Sequence, residues 1–335
     1  MAAITCENLT KKYRVLKKDA GIAAGIKAIF KPQYKEVEAV KGISISVEEG
    51  ELVGFLGPNG AGKTTTLKMM SGILVPSSGT VSVLGYTPWD RRPEMLRKIA
   101  LVMGNKNQLW WDLPAIDSFN VLAEIYEVER PVFQKRIKEL TEILDIADKL
   151  TTQVRKMSLG ERMKCELVAA LLHAPSVIFL DEPTIGLDVV SQKRIRDFLR
   201  ELHAQEGNTI LLTSHYMQDV RELCKRVIII DNGTKVFDGA LESLIAKFNE
   251  ERTVQLVLDR DVSEADFERY GRVVSSNGPE IELAVPREQT ATIVSKLLAE
   301  MQVVDVQIHE PSIEEIIRSL FSSNQPDTDS RALKE

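Results

Sequence analysis

Near its start the chain carries the run Gly57-Pro58-Asn59-Gly60-Ala61-Gly62-Lys63-Thr64, which fits the pattern G-x-x-x-x-G-K-[ST]. Residues 52–56 form a short apolar run that predicts a buried strand, and Thr65 opens a segment that predicts a helix. A glycine loop between a strand and a helix N-terminus directs backbone N–H groups and the helix dipole at an anion. We therefore expect a nucleotide-phosphate site, in which Lys63 contacts the β- and γ-phosphates and the Thr64 hydroxyl binds Mg²⁺.

Composition restricts the class of protein without naming a function. The 335 residues leave room for one large domain and a smaller one, and 44% hydrophobic with 27% charged residues is typical of a folded soluble protein. A net charge of −6 gives no electrostatic reason to bind nucleic acid. No apolar run approaches the ~18 residues that span a bilayer, and no signal-peptide core precedes the first strand. We expect a cytoplasmic protein with reduced, buried thiols at Cys6, Cys165 and Cys224.

A second signal of phosphate chemistry lies downstream. The apolar run 177–180 predicts a central strand, and it ends directly before Asp181 and Glu182. Parallel α/β sheets bind ligands at the carboxyl ends of their strands, so the two carboxylates are expected to face the glycine loop. Asp181 would hold Mg²⁺, and Glu182 would orient and deprotonate the attacking water. The alternative is a strand followed by a solvated acidic turn, and the upstream glycine loop favours the catalytic interpretation.

The residues around that strand complete a set of motifs. Met157-Ser158-Leu159-Gly160-Glu161-Arg162 lies ahead of it, Gly186-Leu187-Asp188 follows it, and Thr213-Ser214-His215 comes after the next apolar run. In this order, the motifs resemble the ATPase subunit of an ATP-binding cassette (ABC) transporter. The resemblance covers roughly residues 4–245. It implies an α/β P-loop NTPase fold with a mixed sheet and a helical subdomain, ATP and Mg²⁺ as ligands, and ATP hydrolysis.

The resemblance also implies how the site is assembled. Two cassettes would pack head to tail, with each ATP between the glycine loop of one and Ser158 and Gly160 of the other. Asp188 would lie at the seam between the subunits, and His215 would contact the γ-phosphate and hold Glu182 and the water in line. A hydroxyl, an amide and a helix N-terminus suit a phosphate physically. Ser158 has a second interpretation as a simple N-cap, which uses the same geometry.

Two contacts to the nucleotide rest on weaker matches. The register of residues 109–113 places Asn105 where the family has a glutamine that senses the γ-phosphate and the metal. Asparagine keeps the carboxamide but has a shorter reach, and Gln108 would replace it only if the loop rearranged. Tyr13 matches the aromatic residue on which the family stacks adenine. The signature also departs from the family at two positions, Leu159 and Glu161.

The chain divides into three parts. Residues 1–245 are expected to form the ATPase domain, with a helical subdomain at about 90–172. Residues 250–321 contain segments in which apolar and polar residues alternate, and they predict a small α+β domain without a catalytic constellation. It resembles the C-terminal extension of exporter subunits, with a role in dimerisation or regulation. The polar residues 322–335 predict a disordered tail.

Two segments allow two interpretations each. Within an insertion at 14–38, residues 21–30 have apolar residues at helical spacing between lysines. This segment is either an amphipathic element for the membrane face or a surface insertion. Trp110 and Trp111 are either anchors for a partner, which we favour, or buried under their loop.

Three functions compete. The first is the ATPase of a membrane exporter, working as a homodimer on a separate integral-membrane permease and therefore peripheral on the inner face of the cell membrane. The second is a soluble cassette ATPase acting on ribosomes or nucleic acid, but such proteins usually carry two cassettes or a long coiled coil. The third is a GTPase, yet residues 105–108 lack the aspartate of the guanine-recognition motif Asn-Lys-x-Asp. We favour the exporter, because the motifs Leu109-Trp110-Trp111-Asp112 and Thr184-Ile185-Gly186 resemble those of exporter subunits for drugs, lipids or glycans.

Overall fold

The chain forms two compact units, Met1–Gly239 and Ala240–Glu335. The computed structural model describes residues 1–16, 34–248, 251–261 and 263–309, together with positions 313, 314, 316, 317 and 320. The predicted basic segment at 21–30 and the predicted tail at 322–335 lie outside the described residues. The units separate before the helix Leu241–Phe248, a few residues earlier than the boundary at 245 that the motifs indicated.

The first unit contains the strands and helices that carry the motifs. Its strands are β1 (Ala2–Leu16), β2 (Tyr34–Glu48), β3 (Leu52–Leu56), β4 (Ser78–Val83), β5 (Ile99–Met103), β6 (Val177–Asp181), β7 (Thr209–Thr213), β8 (Arg226–Asp231) and β9 (Thr234–Ala240). Its helices are α1 (Lys63–Met70), α2 (Pro93–Leu96), α3 (Ala115–Ile125), α4 (Arg130–Ile143), α5 (Leu159–Leu171), α6 (Val189–Glu206) and α7 (Met217–Leu223).

A largely parallel sheet forms the centre of this unit, in the order β5-β6-β7-β3-β8-β9. The strands β3, β6 and β7 are buried at every position, as short apolar runs covered on both faces should be. In register, Asp181 of β6 pairs with Met103 of β5 and with Thr213 of β7. The end of β6, which carries Asp181, and the end of β7, which precedes His215, therefore lie side by side. The predicted α/β fold class is confirmed.

A second, antiparallel sheet covers α1 from the other side, in the order β2-β1-β4. One hydrophobic core spans both sheets and includes Leu67 and Met70 of α1, Phe55 of β3 and Ile4 of β1. The strands β1 and β2 continue past β4 as a hairpin whose last pair is Leu16 with Tyr34. Both ends of the predicted insertion at 14–38 are therefore strand.

The helices α3, α4 and α5 follow the amphipathic pattern between the phosphate loop and the acidic strand. Phe119, Phe133 and Leu140 are buried among them. Pro131 lies in the first turn of α4, where proline is favoured because its missing N–H has no intrahelical partner. The predicted helical subdomain at 90–172 includes β5, which pairs with β6 in the central sheet. The helical part proper therefore begins after that strand.

The second unit has its own antiparallel sheet and core. It contains α8 (Leu241–Phe248), β10 (Glu251–Leu258), β11 (Arg272–Asn277), β12 (Glu280–Pro286), α9 (Thr290–Glu300) and β13 (Val303–His309). The strands lie in the order β11-β12-β10-β13, and the apolar residues of β10 and β12 pack with Leu297 of α9. Strand β11 has no alternating apolar pattern, and the sequence did not indicate it.

Candidate functional site

The glycine loop joins β3 to α1 and wraps around its own lysine. Lys63 is 5% exposed, and its Nζ donates hydrogen bonds to the carbonyl oxygens of Gly57 at 2.6 Å and Pro58 at 3.1 Å. Burial lowers the pKa of the Lys63 ammonium, and the carboxylates of Glu182 and Asp181 oppose that shift. The amine is therefore held at the centre of the loop, close enough to both acids to interact with them.

Gly62 shows why this loop needs glycine. It is the N-cap of α1, with φ of 104°, a backbone conformation that side chains rarely adopt. A Cβ there would lie 2.6 Å from the carbonyl oxygen of Ala39 in β2. The loop is also tied to the turn after β8, since Gly233 donates its N–H to the carbonyl of Ala61 at 3.1 Å. The remaining loop residues, Asn59 and Gly60, are exposed, and Thr65 is half-buried in the first turn of α1.

Asp181 lies directly across from the start of α1. The Thr64 hydroxyl donates to Asp181 Oδ2 at 2.8 Å, and the Thr213 hydroxyl donates to Oδ1 at 2.8 Å. Asp181 is 6% exposed. The structure thus brings together two of the three predicted metal ligands, and it adds Thr213, which the motifs did not single out.

Glu182 and His215 are in contact. His215 Nε2 lies 2.6 Å from Glu182 Oε1, with the two side chains 33% and 20% exposed. Glu182 has φ of 57°, an uncommon value for a residue with a side chain, and its N–H donates to the Thr213 carbonyl at 3.1 Å and hydroxyl at 3.0 Å. This backbone turn directs the Glu182 carboxylate away from the line of β6 and against the imidazole.

Ser158 and Gly160 open α5, away from the glycine loop. The Ser158 hydroxyl accepts the Glu161 N–H at 3.2 Å, and Glu161 Oε2 accepts the Ser158 N–H at 2.9 Å, so the two form a capping box. The N-cap interpretation of Ser158 therefore holds in this structure. Among the described residues, no hydrogen bond or ion pair joins Ser158 or Gly160 to the glycine loop of the same chain.

Asp188 caps the next helix and lies against the signature. Its two oxygens accept the Ser191 N–H at 2.9 Å and the Ser191 hydroxyl at 2.7 Å, and these bonds hold the pKa of Asp188 below its usual value. A Cβ added to Gly160 would lie 2.5 Å from Ser191 Oγ. The starts of α5 and α6 therefore touch and form one surface.

Asn105 and Tyr13 lie at the margins of the candidate site. Asn105 is exposed, and its side chain makes no hydrogen bond with the residues that the structure describes. Gln108 is turned away, because its Nε2 donates to the Leu101 carbonyl at 3.1 Å. Tyr13 is 37% exposed on β1, with the Lys11 ammonium 5.5 Å from its ring centroid. The neighbouring strand β2 reaches the glycine loop, as the contact of Ala39 with Gly62 shows.

Comparisons with known proteins identify the family of the chain. The family model for ABC transporters matches residues 40–185, and that for the C-terminal domain of EvrA-like ABC transporters matches residues 250–309. The ABC transporter ATP-binding protein NatA of Bacillus subtilis is 37% identical over 215 residues, which are 64% of this chain and 87% of that protein. The chain belongs to the ATP-binding proteins of ABC transporters. It is therefore an ATPase.

Other family members are similar over comparable lengths. The Nod factor export ATP-binding protein I of Paraburkholderia xenovorans is 37% identical over 216 residues, 64% of this chain and 70% of that protein. A dimeric cassette solved in a post-hydrolysis state with ADP and phosphate matches with a TM-score of 0.60 and 23% identity. The match covers 71% of this chain and 98% of the chain in that structure. At that identity the likeness shows the ABC fold alone.

One set of residues in this ABC ATPase escaped the sequence analysis. Asp219 of α7 is 1% exposed, accepts the Thr184 and Ser214 hydroxyls, and binds Arg196 at 3.0 Å. It thus links the segment after Glu182 to the segment that carries His215. Only an acidic residue four positions after the histidine hinted at this link, and its partners Thr184 and Arg196 are remote in sequence.

An apolar groove lies beside the helical part. It has a volume of about 490 Å³, and its lining includes Ile73, Leu96, Leu101, Met103 and Ile125. Ile73 is 55% and Ile125 is 62% exposed. Among the described residues, no helix combines the length and the apolar character needed to cross a bilayer.

Proposed function

We propose that two copies of this chain close head to tail around two ATP molecules and drive a separate permease that exports its substrate. The observation that carries the proposal is the contact of His215 with Glu182, next to an Asp181 carboxylate that accepts a hydrogen bond from Thr64 of the glycine loop. The pair couples a base to the residue that orients it, as general-base catalysis requires.

In this proposal the hydrolytic chemistry depends on position and charge. Lys63 neutralises the phosphates, and the N–H groups of the loop and of α1 hold them. Glu182 takes a proton from the attacking water, and His215 keeps the carboxylate and the γ-phosphate in line. The buried position of Lys63 strengthens its attraction to phosphate, since burial lowers the local dielectric.

Mg²⁺ fits the oxygen atoms present. The Thr64 hydroxyl and the Asp181 carboxylate are 2.8 Å apart, and hydroxyl, carboxylate and phosphate oxygens are the ligands that this ion prefers. We propose that these two residues hold it, with Asn105 near the same site. When bound, Mg²⁺ would neutralise charge on the β- and γ-phosphates.

The signature surface supports a homodimer. Ser158 is exposed at the start of α5, while Gly160 is buried against Ser191. Four apolar side chains at the starts of α5 and α6 and in the segment before α6 are also exposed: Leu159 at 39%, Ile185 at 36%, Val189 at 75% and Val190 at 77%. An exposed apolar patch typically marks an interface. A second copy would cover this patch and place its γ-phosphate at the α5 N-terminus. The cassette of the matching solved structure is itself dimeric.

The apolar groove supports a permease partner. A short helical segment of the permease would cover the exposed residues Ile73 and Ile125. Apolar side chains on one face of that helix would occupy the groove. Met103 lines the groove and ends the strand before Asn105, so the docked segment would lie next to the γ-phosphate sensor. The exposed Trp110 and Trp111, 43% and 45%, belong to the same loop.

Export is proposed over a role on ribosomes or nucleic acid. The name of the Nod factor relative describes export, and the C-terminal unit matches an ABC transporter domain. The net charge of −6 gives nucleic acid no electrostatic attraction. The nature of the exported substrate is determined by the permease.

The variant Glu182→Gln tests the proposal. Without the carboxylate the water is no longer activated, so turnover falls about 10²–10⁴-fold while ATP still binds. The unhydrolysed ATP should hold two chains together, and light scattering on a sizing column should show a dimer in ATP and Mg²⁺ that wild-type protein does not accumulate. Near-normal hydrolysis by Glu182→Gln, or a strictly monomeric variant even with its permease, would contradict the proposal.

A further inference from the structure

Glu166 is a buried carboxylate in the middle of α5 that faces the loop after β5. Only 2% of it is exposed. Its Oε1 and Oε2 both accept the backbone N–H of Gln108 at 2.9 Å, and Oε1 accepts that of Leu109 at 3.3 Å. The hydrolytic chemistry described above does not use Glu166.

A charge in this position is unfavourable by itself. Burial raises the pKa of Glu166, and the hydrogen bonds from Gln108 and Leu109, followed by the charge of Arg162, oppose the rise. A buried carboxylate is stable only with such partners, and an apolar side chain of similar volume would fill the space at lower cost. A carboxylate at this buried position is therefore best explained by its hydrogen bonds to the backbone of the loop.

The loop is anchored at its other end beside the Asp181–Glu182 pair. Gly104 donates its N–H to the Asp181 carbonyl at 2.8 Å. Between this bond and Glu166 the chain passes through the exposed residues Asn105, Lys106 and Asn107. The predicted γ-phosphate sensor therefore lies on a short segment that is fixed to β6 on one side and to α5 on the other.

The helix that carries Glu166 begins at the signature. Ser158 is its N-cap and Gly160 lies in its first turn. The same helix makes a second contact with the loop, since the Arg162 guanidinium lies 4.8 Å from the centroid of the Trp111 ring. The loop is therefore held to α5 at two points.

We propose that Glu166 is a positioning residue that couples the Asn105 loop of one copy to the signature helix that this copy presents to the other copy's ATP. The inference rests on the proposed function, because it requires Ser158 and Gly160 to act across the dimer. When Asn105 moves to contact the γ-phosphate, Gln108 and Leu109 carry the carboxylate with them. The helix α5 follows as a rigid element. Occupancy of one site thereby prepares the other.

The full-length variant Glu166→Gln tests this coupling, because it keeps the side-chain volume and removes one acceptor. Its kcat should fall about tenfold, and its rate should lose cooperativity in ATP concentration, while binding of a fluorescent ATP analogue to the single site stays within about twofold of wild type. The loop should also be less restrained, so trypsin should cleave after the exposed Lys106 several-fold faster. The conservative variant Glu166→Asp, which keeps the charge, should restore part of both losses.

Glu206→Gln is the matched control. Glu206 accepts the Arg136 guanidinium at 2.6 Å and lies near the start of β7, at the sheet edge opposite the glycine loop. It should lose a similar amount of thermal stability without changing kcat, cooperativity or cleavage after Lys106. The inference is overturned if Glu166→Gln behaves like Glu206→Gln, or if ATP binding weakens in parallel with kcat. Wild-type turnover and the Glu182→Gln dimer test the proposed function separately, so the two failures are distinguishable.

Discussion

Asn105 is the residue that we propose to stand where the family has a glutamine. Its exposed carboxamide is one methylene shorter than glutamine, while Gln108 is committed to the Leu101 carbonyl. We expect Asn105→Gln to leave ATPase activity unchanged or raise it a few-fold, since the longer side chain reaches the γ-phosphate and metal with less movement of the loop. Steady-state ATPase assays with permease present measure this.

Asn107→Gln supplies the matched control for this change. Asn107 is exposed on the same loop, so the same added methylene should alter neither kcat nor KM. A sharp loss of activity in Asn105→Gln alone would show that another residue, with Gln108 the first candidate, occupies the glutamine position.

Residue roles differ in how visible they are to sequence reasoning. The motifs placed Thr64, Asp181 and Glu182 together, and the family resemblance added His215; the structure joins the four in two pairs, at 2.8 and 2.6 Å. Asp219 and Glu166 were not predicted, because no single motif records contacts such as those of Asp219 with Thr184 and Arg196 or those of Glu166 with the amides of Gln108 and Leu109.

At the scale of the element, the N-terminus of α5 has two roles that one substitution separates. Ser158 caps the helix, and we propose that it also meets the partner copy's γ-phosphate. Aspartate is as good an N-cap as serine but repels phosphate, so Ser158→Asp should keep thermal stability and lower kcat/KM about 10²-fold. Thermal unfolding and ATPase assays on the same preparation check both.

Ser158→Asn is the neutral counterpart of that variant. Asparagine is an equally good cap without charge, so activity should stay within a few-fold of wild type. Equal losses in Ser158→Asp and Ser158→Asn would mean that geometry, not charge, matters at this position. Equal and unchanged activity in both would remove Ser158 from the site.

Elements with a clear pattern of apolar residues were predictable from the sequence, and elements without one were not. The apolar runs predicted β3, β6 and β7 because both faces of these strands are covered. The hairpin extension of β1 and β2 was missed, since its exposed charged residues, with Arg14 paired to Glu36, have no apolar face. Strand β11 was missed for the same reason: its exposure pattern is irregular.

At the scale of the whole molecule, each ATP site is proposed to need two chains. Lys63→Ala removes the phosphate lysine of the glycine loop and Ser158→Asp spoils the signature, so each variant alone should be nearly inactive. In a mixed dimer, the intact loop of the second variant meets the intact signature of the first. Equal mixing should therefore restore at most about a quarter of the wild-type rate, because half of the dimers are mixed and each has one of two sites intact. The proposed coupling through Glu166 lowers the rate of a lone site further.

The outcome of the mixing experiment depends on whether Ser158 contacts the ATP of its own chain or that of the partner copy. The sequence motifs alone leave this open. Within one chain, no hydrogen bond or ion pair among the described residues joins Ser158 to the glycine loop, and we propose that Ser158 contacts the ATP of another copy. ATPase activity is measured across mixing ratios, and the rate should peak near equal amounts. A rate that stays at the level of the two inactive variants at every mixing ratio would mean that Lys63 and Ser158 serve the same chain's nucleotide.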